Sequence, residues 1–296
     1  MPDLYPLLLQ PQFHERIWGA HDLAPIYSRE ILGSPIGEAW LTGDECRVVN
    51  GPLAGKKLSD LSSELGVQLL GEAVNHGSRF PLLIKFLFPR DKLSVQVHPD
   101  DGEDGPRGKT EMWHILDAEP GATIALGFRE PIDRERLWSA SRSGEIEELL
   151  NWIPVRAGQT YFTPAHTVHA IGAGIVLCEI QQHSDVTYRL WDYGRPRETH
   201  LDKAAPIADL GVHPGAVADS KVHCRHFVTA PVELEAGGLR VPEPRRCHLC
   251  ICIAGEGTIG GERFARGDVW LLPEAGEQPA IEAATASRFL ETYVPG

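Results

Sequence analysis

Short apolar runs closed off by glycine and proline constrain this chain more than any other feature. "FPLLIKFLFP", "KLSVQVHP", "EMWHILDAEPGATIALGF" and "GQTYFTPAHTVHAIGAGIVLCEIQQ" are built from pieces of strand length between turn residues. Such spacing predicts a mainly β protein, a sandwich or a barrel. Two segments break the rhythm. "KLSDLSSELGVQLLG" puts Leu58, Leu61, Leu65 and Leu69 on one helical face. "EPIDRERLWSASRSGEIEELLNWIP" carries Leu137, Ile146, Leu149 and Leu150 as an apolar stripe, with Gly144 as its break. Helices are therefore expected near 58–70 and 131–150, added to a β scaffold.

The stretch from Asp202 to Val222 is rich in Ala, Pro and Gly and reads as a connector. Beyond it, "RCHLCICIAGEGTIGGERFARGDVWLLPE" reads as strand, hairpin, strand, in the manner of a jelly-roll barrel. "VRAGQTYFTPAHTVHAI" echoes that pattern in the first half. Tandem barrels are expected, one over 1–215 and a second over 216–296 that lacks histidines at the matching place. The C-x-x-C within "CHLCIC" alternates with apolar residues and has no second pair at zinc-ribbon spacing, so a buried strand is the better reading.

Composition limits the partners. A net charge of -13 argues against nucleic acid or an anionic membrane, although a few local Lys and Arg can still hold an anionic substrate. The start, "MPDLYPLLLQPQF", has neither the length nor the basic lead of a signal peptide, and no run approaches the roughly 18 apolar residues of a membrane span. Six scattered cysteines then read as reduced thiols of a cytoplasmic protein.

Chemistry concentrates in "SVQVHPDDGEDGPRGKTEMWH". Residues two apart on a strand share a face, so Gln96 and His98 project together while Val95 and Val97 pack the other way. Lys109 and Glu111 share a face of the returning segment. If the two strands are neighbours, an amide, an imidazole and a carboxylate converge, a set that zinc accepts. The other reading is two polar strands around an acidic turn. His166 and His169, in "FTPAHTVHAIGAGI", offer a further donor.

"RIWGAHDL", "KLSVQVHPDD", "GKTEMWHIL" and "TVHAIGAGIVLCEIQQHSDVTYRLWDYGR" together resemble the type I mannose-6-phosphate isomerases, zinc enzymes built on cupin barrels. The likeness runs from about Arg16 to Thr199 and more faintly beyond. It implies zinc ligands at Gln96, His98, Glu111 and His169, one divalent ion per chain, and an active-site arginine at Arg189. Lys109 and Glu179 match positions of the substrate pocket. The implied reaction interconverts mannose 6-phosphate and fructose 6-phosphate through an enediol. Beside it stand a non-catalytic sugar-phosphate-binding cupin and a cupin metalloenzyme for another phosphosugar. The expected partner is a small phosphosugar, and the chain is expected to be a monomer or homodimer. Lys85 and Arg195 are candidates for the phosphate; Glu179, Lys109 and the nearby histidines for the base. Three departures stand out: His166 where relatives usually have Gly, His114 where they often have Tyr, and His183 where they often have Ser. The acidic loop before Lys109 is also short.

Overall fold

Apolar alternation decides which face each strand buries, and the faces stack into layers. The computed structural model describes residues 4–27, 33–71 and 79–295. Among them, the strands form four antiparallel sheets. One six-stranded sheet runs, in spatial order, Gln12–Ala20, Ile36–Trp40, Leu82–Leu87, Ile175–Gln182, Glu111–Ala118 and Thr160–Thr163. A five-stranded sheet faces it: Tyr188–Trp191, Val95–Val97, His169–Ile171, Thr123–Phe128 and Leu150–Pro154. Between them lies a core of Trp113, Ile115, Ile124, Leu126, Tyr161 and Leu177, each fully buried. Burying side chains of this size stabilises by about 1.5–3 kcal/mol each.

The C-terminal sandwich repeats the plan. His248–Ala254 alternates, sending Leu249 and Ile251 to one core and Cys250 and Cys252 to another. The first core joins this strand's sheet to the back of the six-stranded sheet through Ile84, Phe86, Cys178 and Ile180. The second fills the C-terminal sandwich with Trp270, Phe264 and Phe289. The "CHLCIC" stretch is thus a buried strand. Leu7–Leu9 pairs with Val269–Leu272 of this C-terminal sheet, so the chain crosses between the sandwiches at its start as well as after residue 215.

Helices cover the outer face of the five-stranded sheet. Arg134–Ser143 is capped by Asp133, whose carboxylate accepts from Arg136 N at 2.7 Å, and ends at Gly144 in the left-handed region. Leu137 and Ala140 pack with Val95 and Val97. The expected stripe continues through Ile146, but Leu150 opens a strand instead. Near residue 60, Gly66 splits the expected helix into Leu58–Leu65 and Val67–Leu70. The connector holds a helix its composition concealed, Leu201–Ile207, with Ala204 and Ala205 buried against the same sheet. Small side chains let that helix lie close, and tertiary packing outweighs Pro206. No helix among the described residues is long and apolar enough to cross a membrane.

Two buried histidines sit outside the site described below. His114 Nδ1 meets Thr160 Oγ1 at 2.9 Å, and His183 Nδ1 donates to Phe80 O at 2.8 Å. Burial pushes both imidazoles down to about 4. The unfolded chain therefore binds protons that the folded one refuses below pH 6.5. Stability is full above that pH and falls between 6.5 and 4, each histidine contributing about 1 kcal/mol per pH unit. Denaturant titrations at pH 7, 6 and 5 should show this slope, and His114→Gln should flatten it; an equal slope in the variant would contradict the assignment.

Candidate metal centre and substrate cavity

Strand register brings the site residues together. His169 lies directly opposite Gln96, and Gln96 opposite Arg189, on three adjacent strands. Opposed residues share a face, so imidazole, amide and guanidinium form one row on the inner wall. Glu111 stands on the other sheet, between Gln181 and Thr163. The strands of Gln96 and Glu111 are therefore not neighbours, the condition on which the sequence reading made their side chains converge. Their side chains meet across the sandwich interior.

His98, Glu111 and His169 gather within 4.8 Å of one another and are almost wholly buried. Glu111 Oε2 is 3.7 Å from His98 Nε2, and Oε1 is 3.5 Å from His169 Nε2. His98 Nδ1 donates to Val186 O at 2.9 Å and His169 Nδ1 to Thr167 O at 2.8 Å. A carbonyl only accepts, so each Nδ1 carries the hydrogen and each Nε2 turns a lone pair into the cluster. Burial holds both imidazoles neutral, His169 down at about 3 and His98 well below its usual value. Burial also pushes the Glu111 carboxyl up to about 7, against the pull of Lys109.

This donor set fits a divalent cation. Glu111 Oε1 is buried with no hydrogen-bond partner, and two imidazole lone pairs face it. Gln96 Nε2 lies 3.2 Å from His169 Nε2, so its carboxamide reaches the same point, and an amide turned end over end offers oxygen instead. Lys109 Nζ already reaches these atoms, 3.1 Å from His98 Nε2 and 2.5 Å from Glu111 Oε2.

A polar cavity of ≈ 470 Å³ opens beside the cluster, lined by Gln96, Lys109, Glu179 and Arg189 among others. Lys85 and Glu179 pair at 3.2 Å, both about 95% buried, and Trp113 Nε1 donates to Glu179 Oε2 at 3.2 Å. Burial alone would raise Glu179, but Lys109 and Lys85 overcome it and draw the carboxyl down to about 2. Removing either member of a buried pair leaves a lone charge and costs about 3–5 kcal/mol.

All seven residues expected in the site reach this region. The remaining candidates separate. His166 does not join the cluster: its Nε2 meets Glu103 at 2.7 Å, and its φ of 73° is the left-handed conformation that a glycine adopts freely. His114 and His183 are engaged elsewhere, as above. Lys85 lines the cavity, while Arg195 is tied to Asp192, Lys92 O and Asp91. Trp191 and Tyr193 pack behind the five-stranded sheet.

Sequence reasoning passed over Arg16, Glu38, Arg197 and His200, which also line the cavity. Strand parity could have found Arg16, which shares a face with Trp18. Gly37 makes room for both: a Cβ there would sit 2.5 Å from Arg16 Cβ and 2.7 Å from the Trp18 ring. Arg197 and His200 lie outside any strand and have no periodic signature.

Residues 7–127 match the family model for phosphomannose isomerase type I, catalytic domain. The chain is 37% identical over 298 residues to mannose-6-phosphate isomerase ManA of Bacillus subtilis, covering 90% of this chain and 93% of that one. The crystal structure of the mannose 6-phosphate isomerase from Bacillus subtilis superposes with a TM-score of 0.87 at 30% identity, over 98% and 99% of the two chains. A zinc-bound mannose 6-phosphate isomerase shares the fold, with a TM-score of 0.79 at 18% identity over 98% and 100%.

The two candidate histidines can be told apart by metal analysis. His169→Ala and Glu111→Gln should each lower the metal bound per chain at least tenfold, on the scale of a lost ligand. His166→Gly should keep its metal. Full loading of His169→Ala would remove that residue from the ligand set.

Proposed function

The chain belongs to the type I phosphomannose isomerase family, and on that premise we propose that it interconverts mannose 6-phosphate and fructose 6-phosphate in the cytoplasm. The observation that carries the reading is the convergence of two tautomer-fixed imidazoles and an unpartnered carboxylate oxygen beside a cavity that holds Arg189, Lys109 and Glu179.

Gln96, His98, Glu111 and His169 would hold the cation. We take it to be zinc, because nitrogen and oxygen donors of this kind suit it and a relative of the same fold carries it. Such an ion polarises a carbonyl oxygen and steadies negative charge on it.

The isomerisation removes the C2 proton of the open-chain aldose and returns a proton to C1, while the O2 hydroxyl gives up its proton and O1 gains one, so that the carbonyl ends at C2. Negative charge develops on oxygen in between. Arg189, permanently charged and with its Nε buried and unpartnered, is our assignment for the group that meets that charge. Glu179 is held ionised, and Lys85 and Trp113 engage its two oxygens. A carboxylate so weakly basic orients sugar hydroxyls rather than taking the proton. Lys109 lines the same cavity, its Nζ on Glu111 Oε2 and His98 Nε2.

A coupled assay tests the reading on protein as purified, after chelation, and after zinc is restored. Activity should vanish on chelation and return with zinc. Metal-loaded protein without activity would favour a different phosphosugar or a binding protein. Arg189→Ala should lower kcat about 10²–10³-fold with metal content unchanged; wild-type turnover would refute that role.

A further inference from the structure

Lys109 stands before the strand Glu111–Ala118 begins, so no ladder fixes it. It is nevertheless 4% exposed, with its Nζ 3.1 Å from His98 Nε2 and 2.5 Å from Glu111 Oε2. A flexible side chain keeps such a position only if its backbone is held first. Three consecutive N–H groups show how it is held. Gly108 N donates to Asp101 Oδ1 at 2.8 Å, Lys109 N to Pro99 O at 3.0 Å, and Thr110 N to Gln182 Oε1 at 2.9 Å. The donors on either side of Lys109 thus go to side chains rather than to a neighbouring strand.

Those two side chains are joined. Gln182 Nε2 donates to Asp101 Oδ1 at 2.8 Å, so one carboxylate oxygen accepts from Gly108 and Gln182 together. Gln182 N also donates to Thr110 O at 3.1 Å, which ties the glutamine to both backbone groups of Thr110. With its amide oxygen and nitrogen both engaged, the glutamine has one orientation. Close approach completes the bracket: a Cβ on Gly108 would lie 2.5 Å from the carbonyl carbon of Asp100. Arg225, between two strands of the C-terminal sheet, donates to Asp100 Oδ1 through Nη2 at 2.6 Å and to His226 Nε2 through Nε at 2.8 Å. Asp100, Asp101 and His226 lie close enough together to hold a cation, but this guanidinium already serves all three.

Glu111 does not depend on the bracket, because Gln181 and Thr163 flank it within its sheet. A fault at Asp101 would release Lys109 and leave that carboxylate in place. Resting on the isomerase reading, we propose that Asp101 and Gln182 are positioning residues, which clamp the backbone on both sides of Lys109 and so aim its amine into the cavity. Neither of them lines the cavity itself. The clamp needs an oxygen that accepts two N–H groups, and the charge on it is secondary.

The test uses the metal-loaded full chain. Asp101→Ala removes the acceptor, Asp101→Asn keeps an oxygen there, and Gln182→Glu still accepts from Thr110 but cannot donate to Asp101. Acylation of Lys109 by an amine-reactive reagent, read by mass spectrometry, reports how firmly the residue is held. It should quicken about tenfold in Asp101→Ala and in Gln182→Glu, the effect of one charge-assisted bond on a local opening. Asp101→Asn should return it towards wild type, and metal content should stay constant throughout. In the first two variants kcat/KM for mannose 6-phosphate should fall about 10–100-fold, the scale of a group displaced by about an ångström. Added to Lys109→Gln, Asp101→Ala should lower kcat/KM little further, because both changes remove the same contribution. Should Asp101→Ala not fold, Gln182→Glu carries the same measurements. Wild-type acylation rates in the folded variants, an Asn variant no better than the Ala one, or fully additive losses would overturn the clamp. Wild-type protein that does not turn over mannose 6-phosphate would overturn the isomerase reading, and the acylation rates would still decide whether Asp101 and Gln182 hold Lys109.

Discussion

Ionisable groups buried between two sheets set the terms for the rest of this structure. Lys85, Lys109, Glu111 and Glu179 are each at most 4% exposed, in an interior otherwise filled by tryptophan, tyrosine and aliphatic side chains. Such charges are tolerable only when each finds an opposite one and its remaining polar atoms find donors or acceptors. Lys85 has Glu179, Glu179 has the Trp113 indole as well, and Lys109 has Glu111. Glu111 Oε1 is the exception among the described residues, and it lies at the candidate metal centre. Of these four groups, the unmet bonding capacity thus falls where chemistry is proposed.

Rigidity comes from the layers on either side. The six-stranded sheet is backed by the C-terminal sandwich through a shared apolar core, and the five-stranded sheet by helices. Neither wall can shift without opening one of those cores. The C-terminal sandwich thus contributes to the site mechanically, although no ligand comes from it. Backbone carbonyls of Thr167 and Val186 add a finer constraint by fixing the tautomers of two histidines.

Much of this was legible in the chain. Alternation in "SVQVHP" sends Gln96 inward and Val95 and Val97 outward, as the structure has them. Gly144 ends its helix where the stripe breaks. Other features were hidden. Composition around residue 205 signalled a connector, because alanine and proline say nothing of the sheet that a helix will lean on. The pairing partner of each strand was equally silent, since period-two alternation gives a strand's faces but not its neighbours. For that reason the convergence of Gln96 and Glu111 could be stated only on the condition of adjoining strands, and the two stand on opposing sheets instead.

By itself, the sequence determined the class of fold, the strands that carry donors, and the donor types, because these follow from local alternation, turn residues and side-chain chemistry. Only the tertiary structure decided that the donors meet across a sandwich, that His166 turns to Glu103, and that the Arg189 side chain has no ion pair among the described residues while Arg195 is consumed by Asp192. Those outcomes depend on long-range packing: which sheet faces which, and which charges are left over once a buried interior has satisfied all the others.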